Sequence, residues 1–130
     1  MATNANYASI PRAAAAVLSA ANTNRDGTGT IVTILAGGTS GSRVDDIRIS
    51  ATGTTTAGMI RFYLSLDGGT TNRLLFEVPV TAVTPSATVQ SFQTLLTNLG
   101  ITLPDANAQL RASTHNAESF HVAVTRAGNF

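Results

Sequence analysis

After residue 11, short hydrophobic runs alternate with clusters of Gly, Asn, Asp and Pro about every 8–12 residues, which is typical of an all-β sandwich or barrel. No segment shows a clear helical pattern, and only for the Ala-rich first run is a helix kept as an alternative to a strand. Eight strands are expected, with a short apolar piece at 101–103. They lie at residues 14–21, 30–35, 43–51, 57–66, 72–80, 88–96, 109–113 and 120–126.

Eight antiparallel strands in a chain of this length predict a jelly-roll-like sandwich of two sheets. A seven-stranded immunoglobulin-like sandwich is the alternative, and the absence of Trp and Cys disfavours it. Residues 12–130 are expected to form this single domain. Residues 1–11 are small and polar apart from Tyr7 and Ile10, and they predict an extended N-terminal arm.

The clearest pattern is a hairpin made of residues 57–66 and 72–80, joined by the loop 67–71. Both segments alternate, and only one antiparallel register matches apolar with apolar positions on one face. That register pairs Phe62 with Phe76, Leu64 with Leu74, and Ile60 with Val78. On the opposite face it places Arg61 across from Glu77. Residues 43–51 also alternate, with Ile47 and Ile49 on one side and Val44 and Arg48 on the other.

Charge and composition narrow the function classes. The 130 residues carry a formal net charge of +1, only 12% are charged, and all eight basic residues are Arg. With so little net charge, the electrostatic field of the protein favours neither nucleic acid nor an anionic membrane as a partner. With no Cys there is no disulfide, thiolate zinc site or Cys nucleophile. The composition favours a subunit whose surface is covered by neighbours.

The sequence is expected to hold no signal peptide, no membrane span and no nucleotide-binding loop. Arg12 and the Ala-rich run after it resemble a signal peptide, but the run is weakly apolar and is expected to be part of the fold. No stretch reaches 18 consecutive apolar residues, so no membrane span is expected. The Gly-rich stretches match no nucleotide loop and are expected to be hairpin turns.

Candidate chemistry is sparse. His115, Glu118 and His121 are the one dense group of metal-capable side chains, but their spacing fits a loop and a surface His better than a zinc site. Asp45 and Asp46 would point to opposite faces of a strand, so Arg43 and Arg48 are expected to pair with them at the surface. No arrangement suggests a serine hydrolase. We therefore expect no catalytic residue, cofactor, metal or small-molecule substrate, and no enzymatic activity.

Two segments resemble known sequences: DGGTTNRLLFEVPVTAVTPSATVQSF at 67–92 and LRASTHNAESFHV at 110–122. They are similar to a group of small proteins encoded among the virion genes of tailed bacteriophages. The resemblance extends over about residues 57–130 and implies a structural part of a virus particle. It implies no catalytic residue.

The resulting expectation is a capsid decoration, or cement, protein on the exterior of the virion. Its partners would be the major capsid protein and copies of itself, as a dimer or trimer. Tyr7, Ile10 and Phe130 are the predicted partner-binding residues, because apolar side chains on terminal segments can become ordered on contact. The alternatives are a tail, collar or baseplate component and a carbohydrate-binding host-recognition module.

Overall fold

The computed structural model describes residues 8–130, which contain nine β-strands and no helix. The strands are β1 (Ile10–Leu18), β2 (Val32–Ala36), β3 (Ser42–Ala51), β4 (Gly58–Ser65), β5 (Arg73–Val80), β6 (Gln93–Leu96), β7 (Ile101–Leu103), β8 (Gln109–Thr114) and β9 (Phe120–Asn129). The all-β prediction is therefore confirmed. Over the same residues there is no helix long and apolar enough to cross a membrane.

The strands form two antiparallel sheets. Sheet 1 has the order β1-β9-β3-β6, with β7 also paired to β3, and sheet 2 has the order β2-β8-β4-β5. Because β6 and β7 pair with successive parts of β3, they occupy one strand position that is interrupted at residues 97–100. If β6 and β7 are counted as one position, the sixth, then β8 is the seventh position and β9 the eighth. The two sheets then have the orders 1-8-3-6 and 2-7-4-5, which is the strand order of a jelly roll. The predicted jelly-roll-like sandwich is confirmed.

The core lies between the inward faces of the two sheets. The rings of Phe62 and Phe76 stack at 4.8 Å, and Phe92 meets Phe120 edge-on at 6.3 Å. Each large apolar side chain taken from water into such a core contributes about 1.5–3 kcal/mol. Other fully buried members are Val44, Ile47, Ile49, Leu103 and Val122 from sheet 1, and Ile60 and Leu110 from sheet 2.

The hairpin of β4 and β5 follows the predicted register over most of its length, since Ile60, Arg61 and Phe62 pair with Val78, Glu77 and Phe76. A β-bulge at Leu75 then shifts the register. Tyr63 pairs with Leu74, and Leu64 pairs with Arg73. The predicted pair of Leu64 with Leu74 is therefore wrong, because alternation assumes one residue opposite one and a bulge sets two against one.

β3 departs from strict alternation for the same reason. Its pairing with β9 is irregular on either side of Asp46. Val44 is buried, as are Ile47 and Ile49, although simple alternation places Val44 on the opposite face. The bulge changes which face each residue occupies, so that both halves of the strand direct apolar side chains into the core.

Most strand boundaries differ from the sequence prediction by a few residues, and β1 and β6 differ most. β1 begins at Ile10 and ends at Leu18, so the Ala-rich run is a strand and not a helix, and Ile10 and Pro11 of the predicted arm pair with β9. β6 begins only at Gln93. The residues before it form a turn, in which the Ser86 hydroxyl accepts hydrogen bonds from the backbone N–H groups of the residues two and three positions later.

Candidate docking surface on the outer face of sheet 1

The three metal-capable side chains near the start of β9 do not converge on one site. His115 Nδ1 lies 3.1 Å from Arg61 Nη2, and it accepts the hydrogen bond because a guanidinium can only donate. Glu118 Oε2 accepts hydrogen bonds from the backbone N–H and the hydroxyl of Thr56. His121 is exposed on the outer face of β9. Across residues 8–130 no three His, Asp or Glu side chains come together as metal ligands.

The two adjacent carboxylates of β3 form separate ion pairs. Asp45 accepts a hydrogen bond from Arg43 Nε at 2.9 Å, as predicted. Asp46 pairs with Arg126 at 3.2 Å, and the hydrogen bond from this guanidinium is the main cause that lowers the pKa of Asp46 below its ordinary value. Arg48 lies beyond ion-pair distance of both carboxylates, so its predicted pairing is wrong, although its charge makes a minor contribution to lowering the pKa of Asp46.

The outer face of sheet 2 is partly covered, around β4, by residues 22–31 of the connection between β1 and β2. Arg61 Nη1 donates to the backbone carbonyl of Asn22 at 3.2 Å, and the Tyr63 hydroxyl donates to the carbonyl of Asn24 at 3.0 Å. Both side chains point away from the core, yet they are 1% and 0% exposed. The covering segment therefore turns this side of the sheet into a second, polar interior.

Charge holds the covering segment in place. Glu77 Oε2 lies 3.1 Å from Arg61 Nε and 2.9 Å from the Nε of Arg25, a residue of the covering segment. The hydrogen bond from Arg25, with a smaller contribution from Arg61, lowers the pKa of Glu77. Arg111 Nη2 donates to the carbonyl of Ile31 at 2.8 Å and secures the other end of the segment.

The covering segment has a compact fold of its own. Asn22 Nδ2 donates to the carbonyls of Thr28 and Thr30 at 2.9 and 3.0 Å. Gly27 has a φ of +86°, and a Cβ atom there would lie 2.1 Å from the carbonyl oxygen of Asn72. Only glycine allows this close approach between the segment and the start of β5. The sequence predicts a turn here, but not that the turn lies against sheet 2.

The outer face of sheet 1 has no such cover from residues 8–130. The strand registers assemble it in two rows that cross four strands. One row is Ala15, Ala123, Arg48 and Leu95, and the other is Val17, His121, Ser50 and Gln93. We call these eight residues the open face. Its apolar members include Val17 and Leu95, whose side chains are 51% and 46% exposed.

Arg48 is the single permanently charged side chain of the open face. Within residues 8–130 it forms no ion pair, since the acidic groups of β3 are engaged by Arg43 and Arg126. Its neighbours in the row, Ala123 and Leu95, carry no polar group that could bind a guanidinium. Arg48 is therefore the one charge among these eight residues without an ion-pair partner in residues 8–130, although its charge contributes, after the hydrogen bond from Arg126, to lowering the pKa of Asp46 on the same strand.

Shallow depressions border the open face. One of about 250 Å³ lies along Ala15, Ala16, Val17 and His121, and one of about 270 Å³ runs between β3 and β6 beside Arg48, Gln90 and Gln93. A third, of about 300 Å³, lies at the β4–β5 hairpin beside Leu66 and Arg73. Their volumes are at or below the small end of the range for small-molecule pockets, and all three are wide open to solvent. These surfaces suit contact with another macromolecule better than enclosure of a substrate.

Two of the predicted partner-binding residues lie at one end of sheet 1. Ile10 is 57% exposed and pairs with Asn129. Phe130 is half-buried against its own chain, with its ring on Gly41 and its backbone N–H bonded to the Gly41 carbonyl at 3.1 Å. Tyr7 lies outside the described residues. That these residues bind a partner stays a prediction.

Comparison with known proteins gives distant structural likeness but no relative by sequence. No protein-family model matches the sequence, and no curated protein is similar to it. Among solved structures, the chain is similar to a chain described as the cyanophage Pam1 capsid asymmetric unit, with 16% identity and a TM-score of 0.47. The alignment covers 100% of this chain and 92% of that chain. A likeness at this level is too distant to assign a function.

Proposed function

We propose that this protein is a non-enzymatic structural component of a phage virion, and specifically a decoration protein that binds the outside of the capsid shell. The observation that carries the proposal is the open face, a preformed sheet surface of mostly neutral side chains with a single unpaired charge. Removing such a surface from water costs less than burying a highly charged one, because only Arg48 carries a permanent charge. The resemblance of residues 57–130 to virion proteins of tailed phages supports the same assignment.

The proposed mechanism needs no chemistry. A subunit that binds only the assembled shell stabilises it by mass action, by about 2.7 kcal/mol per site when its concentration is 100 times the dissociation constant. Repetition over a symmetric shell multiplies this effect. The rigid jelly roll suits the task, because a surface built on paired strands loses little conformational freedom on binding.

The proposed partners are the major capsid protein and copies of this chain. Terminal segments provide a second kind of contact, and Ile10 stands exposed where β1 begins. Tyr7 and Phe130 complete the proposed set. Contacts from a sheet face and from terminal segments together allow one subunit to hold more than one capsid neighbour.

The first test is the number of copies per particle and the heat tolerance of the shell. A decoration protein is expected on the order of hundreds of copies, in proportion to the capsid protein, because it follows the symmetry of the shell. Particles that lack it should release their genome at a lower temperature. Quantitative mass spectrometry of purified particles and a dye-based genome-release assay measure these two properties. Unchanged heat tolerance together with normal assembly would contradict the stabilising role.

A tail, collar or baseplate component is the second candidate, and the same copy number separates it, since such a piece is expected in tens of copies or fewer. A carbohydrate-binding module is disfavoured by the aromatic side chains. Sugar sites use exposed aromatic rings, but Tyr63 is fully buried, and within residues 8–130 no Phe is exposed. Binding on a glycan array would revive that alternative.

A further inference from the structure

We propose that the open face binds a different protein, not a second copy of this chain, and that this partner places an Asp or Glu carboxylate opposite Arg48. The inference rests on the proposed function and adds to it the docking surface and the chemistry of the partner. It follows from the charge, the size and the symmetry of the open face.

Charge complementarity identifies what the partner supplies. Arg48 is exposed in the interior of the sheet, on a strand paired on both sides, and residues 8–130 place no carboxylate within ion-pair distance of it. A guanidinium that loses water on docking needs a new acceptor, and a carboxylate provides a bidentate one. A nucleic acid is a poor fit, because its binding requires several cations spaced along a phosphate backbone and this face carries one.

The flanking side chains make Arg48 accessible to such a partner. Ala15 and Ala123 extend only a methyl group above the sheet, and Leu95 lies on the other side of Arg48 in the same row. Arginine surrounded by neutral side chains that exclude water is the usual environment of a binding hot spot. Substitution of Arg48 should therefore affect affinity more than its share of the area suggests.

Symmetry argues against a second copy on this face. A two-fold contact between identical faces has its axis near the middle of the face, between β9 and β3. Arg48 lies on β3, within about one strand spacing, ~5 Å, of such an axis, so the two guanidinium groups would face one another. The nearest carboxylate on the strand, that of Asp46, is already paired with Arg126. Like charges brought together in this way oppose association.

Size argues in the same direction. Four strands about 4.8 Å apart and a few residues long offer on the order of 400 Å². A stable complex between two proteins usually buries about 800 Å² on each partner. The open face alone is therefore too small for a strong dimer in solution. It suits one contact within a larger site, to which the terminal segments or a neighbouring subunit add area.

The test measures binding to particles assembled without this protein, with purified wild-type and variant chains as the added ligand. Arg48→Ala should weaken binding at least about tenfold, and Arg48→Glu should weaken it further, because a hot-spot charge is lost and then reversed. Ala15→Trp should also block binding, because a large ring stands in the way of a flat partner. Arg73→Glu is the matched control on sheet 2, as Arg73 is exposed and forms no ion pair within residues 8–130, and it should bind within about twofold of wild type.

Salt provides an independent measurement. Raising the ionic strength should weaken wild-type binding, and the Arg48→Ala variant should depend less on salt, because the screened pair is already missing. Far-UV circular dichroism and the thermal midpoint of each variant confirm that it is folded. These side chains are exposed, so the midpoints should be close to that of the wild type.

The outcomes are separable. If wild type binds and the Arg48 and Ala15 variants bind equally well, the open face is not the docking surface, while the proposed function stands. If sedimentation shows a wild-type dimer that Arg48→Glu dissociates, a second copy occupies the face and the inference is overturned. If wild type itself does not bind the particles, the proposed function fails.

Discussion

The outward-pointing residues of β4 in sheet 2 include Arg61 and Tyr63, and those of β9 in sheet 1 include His121 and Ala123. The first two are 1% and 0% exposed, because residues 22–31 lie across them. On sheet 1, no segment of the described chain covers the equivalent side. The same architecture therefore has one outer face partly covered by residues 22–31 and one that residues 8–130 leave uncovered.

The chemistry of the two faces is opposite to what simple solvation predicts. The charged cluster of Arg61 and Glu77 lies under the covering segment. The open face holds four apolar side chains, three further polar ones and a single arginine. A buried arginine is tolerated only where acceptors surround it, and the covering segment brings those acceptors. The open face has one permanent charge, so a partner has to supply an acceptor for that charge only. The contrast teaches that alternation along a strand identifies the outward side, but not whether that side meets solvent.

The largest expected effect comes from removing the arginine beneath the cover. Arg61→Ala leaves Glu77 and the carbonyl of Asn22 without a buried donor, and it should lower the free energy of unfolding by about 3 kcal/mol. Urea denaturation followed by circular dichroism measures the change. Arg48→Ala on the open face is the matched control and should stay within about 0.5 kcal/mol. Equal losses in the two variants would remove the distinction between the faces.

A smaller effect is expected from displacing the covering segment, residues 22–31. Gly27→Ala introduces a Cβ atom 2.1 Å from the Asn72 carbonyl at a φ of +86°, and it should lower the free energy of unfolding by about 2 kcal/mol. Hydrogen exchange should increase across residues 22–31 while β3 and β9 stay protected. Gly53→Ala is the control, because no atom lies within 4 Å of its added Cβ. Increased hydrogen exchange throughout the sandwich would mean that the covering segment does not open independently of the two sheets.

The smallest effect is a dependence on pH. The pKa of Glu77 is lowered in the fold, chiefly by the hydrogen bond from Arg25, so its carboxylate stabilises the protein at neutral pH. This stabilisation is lost as the pH falls below the ordinary value of 4.5 and through the lowered pKa. Glu77→Gln lacks the carboxylate, so the difference in unfolding free energy between wild type and this variant should shrink from pH 7 to pH 3. Urea titrations at each pH measure this difference. If the unfolding free energies of wild type and variant change in parallel with pH, the Glu77 carboxylate does not stabilise the covering segment.

The sequence predicts the parts of the fold that depend on alternation within one strand pair. Phe62 opposite Phe76 and Arg61 opposite Glu77 follow from matching two neighbouring segments. The bulges at Leu75 and around Asp46 were missed, because an extra residue leaves no mark in composition and only the pairing strand reveals it.

The site is harder to predict than the fold, because it depends on contacts that are distant along the chain. The Arg61–Glu77 pair is expected from the hairpin, but its burial depends on Asn22, which is 39 residues away from Arg61. The open face requires the register of four strands from β1 to β9, and one of these, β3, changes face partway along. Local patterns hold no information on either arrangement.

The interruption between β6 and β7 has a consequence for solubility. At residues 97–100 the chain leaves the edge of sheet 1, with Asn98 at a φ of +55° and its N–H bonded to Asp46 Oδ1 at 3.1 Å. A continuous bare edge would offer a template on which molecules could join strand to strand into fibres. The excursion divides that edge into pieces of four and three residues. This edge of sheet 1 therefore offers only short templates for strand pairing between molecules.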